Sequence, residues 1–174
     1  MVLFSKTNRS AKWNREVLGF VVVCLSSLTL FAILYFWLRD SAAIDPFLAF
    51  NARLASVVLN LFGGSTQVDE AVISSGDVSF RVITECTSIV PTAILVSAII
   101  GWPSLLREKL TGVVLGSAVL FLVNVVRIIT LFYIGSASPW FLDIAHSFLW
   151  GALLVVLVVA IWLLWTKRLV RTPR

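Results

Sequence analysis

The chain reads as an all-α integral membrane protein with four transmembrane helices, both termini cytoplasmic, an extracytoplasmic amphipathic helix and a short β-hairpin. Three observations predict this class. Of its 174 residues 59% are hydrophobic and only 13% charged, and the mean hydropathy of +0.99 lies outside the soluble globular range. Val17 to Leu38, Gly112 to Ile134 and Ser147 to Thr166 are almost free of charge over the roughly 18 or more residues needed to cross hydrocarbon. Lys and Arg are confined largely to the flanks of these runs. A single domain, residues 1–174, is expected, with spans at about 17–38, 86–102, 112–134 and 146–166 and an outer insert at 39–85.

The first run follows Lys6, Arg9, Lys12 and Arg15, as a signal peptide's core would, but it is longer than a secretory apolar core and no cleavage site follows, so a retained anchor is expected. After Pro46, apolar residues recur at Phe47, Phe50, Leu54, Val57, Val58 and Leu61, with Asn51, Arg53, Ser56 and Asn60 between them. That pattern is an amphipathic helix, either lying in the outer interface or capping the bundle. Gly63 and Gly64 end it. "QVDEAVISSGDVSFRVITEC" then reads as a hairpin around Ser75, Gly76 and Asp77, with Val78, Phe80 and Val82 alternating against Ser79 and Arg81. Plain linkage is its default role, and strand addition to an extended peptide is the other reading.

The second span is short. Ile89 to Trp102 reaches about 27 Å only if its helix begins near Thr84. Pro91 is tolerated in a first turn, which makes Ser88 the expected N-cap and puts Cys86 just ahead of the helix. "PSLLREKLTG" is a tight turn, and "TKRLVRTPR" a basic anchor. With four spans, Arg107 and Lys109 join the N- and C-terminal basic groups on one side, which the positive-inside rule assigns to the cytoplasm. The net charge of +5 therefore reflects topology and contact with membrane lipids; no nucleic acid partner is expected.

The residues that could carry chemistry gather toward the outer side. Cys24 and Cys86 belong to opposite faces and cannot form a disulfide; Cys24, among apolar neighbours, is a small hydrophobe. At a helix N-terminus the Cys86 thiolate would be favoured, although an inert interfacial thiol fits that position equally well. Arg127 lies roughly 10 Å below the outer end of the third span. It must face the interior or a wet cavity, or else snorkel to the headgroups, and Asn124 shares its face. His146, the only histidine, opens the fourth span after Ser138 and Pro139, nearer the surface than Arg127. Asp143 could hold its imidazole; read alone, the histidine is also a plain structural residue. Glu85 and Asp143 beside one histidine and one outer cysteine make a poor zinc site, so neither metal nor cofactor is expected. No G-x-S-x-G, H-E-x-x-H or C-x-x-C sequence is present.

"ECTSIVP", "NVVRI" and "DIAHSFLWG", in that order on successive segments, resemble the Cys, Arg and His motifs of the exosortase and archaeosortase family. The likeness covers about Thr84 to Gly151. Thr87 and Ser88 follow the cysteine where Ser-Gly is common, and the extra N-terminal spans of many relatives are missing, so the likeness is to a short, divergent subtype. The resemblance implies a transpeptidase on the outer side of a prokaryotic cytoplasmic membrane. Its substrates would be the C-terminal sorting signals of exported proteins, each a short motif, a transmembrane helix and a basic tail. It also implies Cys86 as nucleophile, Arg127 as transition-state stabiliser and His146 as acid and base, with Asn124, Asp143, Glu85 and Ser88 as supporting candidates from the residue reading. The rival expectation is a non-enzymatic assembly or transport subunit in which Arg127 and Asn124 bind a partner helix.

Overall fold

The computed structural model describes residues 3–76 and 78–170, apart from the side chains of residues 3–14, 139 and 143. Helices dominate: α1 (Leu3–Leu38), α2 (Asp45–Leu61), α3 (Ile89–Gly101), α4 (Leu106–Ala137), α5 (Pro139–Ile144) and α6 (Trp150–Arg168). A π-helical turn at Ala145–Leu149 joins α5 to α6 into one continuous rod. Among the described residues four helical stretches are long and apolar enough to cross a bilayer: Arg15–Leu38, Ala42–Leu61, Leu106–Ala137 and Trp140–Arg168. The chain is thus membrane-associated.

That set differs from the sequence expectation in one member. The helix expected over 86–102 runs only from Ile89 to Gly101, 13 residues, or about 20 Å at 1.5 Å per residue. Thr84 to Cys86 do not extend it, forming instead a separate 3-10 turn. Thr87 and Ser88 break the helical run, and Pro91 can donate no backbone hydrogen bond to an earlier turn. α3 is nonetheless wrapped by α1, α4 and α6, so its short length is embedded in protein.

The helix predicted as amphipathic, α2, is present but turned around. Its buried residues are Leu48, Asn51, Ala52, Ala55, Ser56 and Leu59, whereas Phe50, Val57 and Leu61 of the expected apolar face are exposed. The small Ala52, Ala55 and Ser56 face inward beside Leu48 and Leu59 and let α2 approach α4 and the sheet closely; Phe50, Val57 and Leu61 face outward, as a lipid environment permits. Gly63, at φ +87°, closes the helix, and the Gly64 N–H donates back to the Leu59 carbonyl at 3.0 Å.

Beyond it lies an antiparallel sheet of three strands, β1 (Gln67–Asp69), β2 (Val72–Ser75) and β3 (Val78–Arg81), in the order β1-β2-β3. The expected hairpin is the β2-β3 pair, with Ser75 opposite Val78 across a loop that begins at Gly76. The extra strand, β1, pairs Val68 with Ile73. Asn60 ties the sheet to α2: its Oδ1 accepts from the Thr66 N–H at 2.7 Å and its Nδ2 donates to the Thr66 carbonyl at 3.1 Å. Ile73, Val82, Leu59, Ala52 and Ala55 form one core with Ile128 and Phe132 of α4, and Cys86 lies within it. The sheet therefore braces the turn that carries the cysteine.

At the other end of the bundle Leu95, Ile99, Leu120, Val158 and Trp165 form a second, apolar core. Gly112 and Gly116 make room for it. A Cβ on Gly112 would collide with the Trp165 ring, and one on Gly116 would lie 2.5 Å from Leu95 Cδ2. Trp165 Nε1 donates to the Glu108 carbonyl at 2.9 Å, which locks α6 to the start of α4.

Candidate active site

Cys86 closes the 3-10 turn Thr84–Cys86, where the chain leaves β3 and turns into α3. The Cys86 N–H donates to the Ile83 carbonyl at 2.9 Å and the Thr87 N–H to the Thr84 carbonyl at 3.1 Å. The Thr87 hydroxyl also donates to the Thr84 carbonyl, at 2.6 Å, and accepts from the Ile89 N–H at 3.4 Å. Ser88 stands at the N-cap position but its hydroxyl makes no cap bond, so the expected capping role falls to Thr87. Thr87 was legible only as a second hydroxyl beside Ser88; the extended backbone that turns it inward is a tertiary feature.

His146 approaches from the π turn. That turn carries one more residue per hydrogen-bonded ring than an α-helix and re-aims the side chains on it, a device often found at functional sites. Cys86 Sγ and His146 Nε2 are 3.3 Å apart, although the two residues are 60 positions apart in sequence. Arg127 reaches in from α4, 5% exposed, and its Nη2 donates to the His146 carbonyl at 3.4 Å. Asn124, one turn earlier on the same stripe and fully buried, donates from Nδ2 to the Cys86 carbonyl at 2.9 Å. One thiol, one imidazole, one guanidinium and one carboxamide from three separate parts of the chain thus meet in one place.

Cys86 lies outside the helical spans and is 2% exposed. Burial pushes its thiol above the ordinary thiol range; the Ile83 backbone and the nearby Arg127 charge pull the other way but do not outweigh it. The thiolate expected at a helix N-terminus is therefore not favoured here, because removal from water costs the anion more than the turn and the guanidinium return. The imidazole nitrogen 3.3 Å from the sulfur accepts or donates according to its tautomer.

Glu85, unlike its neighbour, is exposed and lines an open cleft of about 700 Å³ beside the Cys86 turn. Arg39, Arg53 and Arg81 line the same cleft, and sequence reading attached no role to any of them. The Asp143 side chain lies outside the described residues. Cys24 and Cys86 are both free thiols. Among the described residues no three His, Cys, Asp or Glu side chains gather as a metal site would need. Comparison with known proteins finds no matching family model, no matching curated protein and no matching solved structure.

Proposed function

We propose that this chain is a membrane-embedded cysteine peptidase of the transpeptidase type that cleaves the C-terminal sorting signals of exported proteins. The observation that carries the reading is the 3.3 Å contact between Cys86 Sγ and His146 Nε2, with the buried Arg127 guanidinium alongside. In the cycle Cys86 gives its proton to His146 as sulfur attacks the scissile carbonyl carbon. Arg127 N–H groups donate to the oxyanion that develops. The C–N bond then breaks, His146 passes the proton to the departing amine, and a thioacyl enzyme remains. An acceptor nucleophile then gives its proton to His146 as it attacks the thioester carbonyl; the C–S bond breaks, the acyl group stays on the acceptor, and His146 returns the proton to the Cys86 sulfur. Arg107, Lys109, Lys167 and Arg168 lie at the other end, and the positive-inside rule applied to them supports placing the sheet end outside the cytoplasmic membrane, where an exported substrate would meet this site.

The test is Cys86→Ala in cells that produce a protein ending in a short motif, an apolar helix and a basic tail. Loss of processing with unchanged membrane insertion is expected. Intact processing would overturn the assignment and favour a non-enzymatic subunit.

A further inference from the structure

Two polar atoms in the site have no hydrogen-bond partner. Asn124 Oδ1 and Arg127 Nε are both shut off from solvent, on residues that are 0% and 5% exposed. They are three residues apart on α4 and so share one face, the face whose other atoms reach Cys86 and His146. The orientation of the Asn124 amide is fixed chemically. Its NH2 group must meet the Cys86 carbonyl, because an oxygen there would be repelled, so the unpartnered atom is an acceptor. The unpartnered atom of Arg127 is a donor. Leaving either buried and unpaired carries a desolvation cost, larger for the charged one.

One acceptor and one donor on the same helix face are the complement of a peptide group, which offers an N–H and a C=O. A carboxylate or phosphate would satisfy Arg127 but set its own lone pairs against Asn124 Oδ1. The contact holding Arg127 in place is weak: 3.4 Å to the His146 carbonyl is longer than the usual 2.7–3.2 Å, so a substrate carbonyl could replace it at low cost.

We infer that Asn124 and Arg127 form a backbone-reading subsite: Asn124 anchors the Cys86 turn through its NH2 and accepts a substrate amide N–H at Oδ1, while Arg127 Nε donates to a substrate carbonyl. The assignment rests on the peptidase reading above and supplies what that reading lacks, a way to align a chain of unspecified side chains with the sulfur. Hydrogen bonds to the backbone orient any sequence, which leaves selection among sequences to other contacts.

The test uses the full chain in lipid nanodiscs and the rate at which Cys86 is alkylated, read by mass spectrometry. The probes are acetyl-Ala-Ala chloromethyl ketone, its two singly N-methylated forms, and iodoacetamide as a measure of thiol reactivity alone. One N-methyl probe is expected to label wild type about tenfold more slowly than the parent, as loss of one hydrogen bond predicts. In Asn124→Leu the parent and N-methyl probes should label at the same rate, each corrected by iodoacetamide. Equal labelling of wild type by all three peptide probes would overturn the subsite without any variant having to fold, as would an N-methyl penalty that survives in Asn124→Leu. A parent probe no faster than iodoacetamide would instead count against the peptidase reading itself, which the Cys86→Ala processing assay tests separately.

Discussion

The two ends of α4 are built on one stripe but stocked differently. Gly112, Gly116, Leu120, Asn124, Arg127, Ile128 and Leu131 follow one another at helical spacing, all buried. From Gly112 to Leu120 the stripe meets Trp165, Leu95 and Ile161 in a close apolar fit, with glycines where a larger residue would collide. From Asn124 onward the same stripe carries a carboxamide and a guanidinium, each with an atom left unpaired. The first half is packed for stability, since small residues against a large ring maximise contact where burying apolar surface from lipid gains nothing. The second half keeps costly polar groups indoors, an arrangement that packing alone would not select.

The contrast can be broken from either side. The largest effect is expected at Arg127→Met, which removes a buried, incompletely paired charge but keeps an apolar stem. Sorting-signal processing should fall about 10²- to 10³-fold, as for loss of an oxyanion donor. Thermal stability in detergent should hold or rise, because an apolar replacement lifts a desolvation cost. A clear drop in melting temperature with processing preserved would show that Arg127 serves the fold.

Gly112→Val is the converse. The added side chain must displace the Trp165 ring, so a loss of about 1–3 kcal/mol is expected in reversible unfolding. The iodoacetamide rate at Cys86 in the folded fraction should stay within about twofold of wild type, the apolar end being separate from the thiol. Equal stability would mean that α6 yields freely there.

A smaller effect sharpens the description of the polar end. Because burial raises the Cys86 thiol, little thiolate is present at neutral pH. Its alkylation rate should climb about tenfold per pH unit through the ordinary thiol range and level off only above it. A plateau reached near pH 7 would show that His146 and Arg127 outweigh desolvation.

Much of the architecture could be read from the chain because it depends on neighbours in sequence. Long uncharged runs specify helices. Gly63 and Gly64 stop one helix, Ser138 and Pro139 start another, and Gly76 turns the hairpin. Residue chemistry likewise singled out Cys86, Arg127 and His146, since a lone arginine within an apolar run and a thiol ahead of a helix are conspicuous against their surroundings.

What only the tertiary structure decided concerns pairings between distant segments. Periodicity marked two faces of α2 but not which one points inward, because lipid outside accepts the apolar face that water would reject. The 3.3 Å approach of sulfur to imidazole, the transfer of capping from Ser88 to Thr87 and the grip of Asn124 on the Cys86 carbonyl all depend on how helices lean across tens of residues. Local sequence sets which groups are present and roughly how deep they lie. Packing sets which atoms meet, because a hydrogen bond is made or lost within less than an ångström.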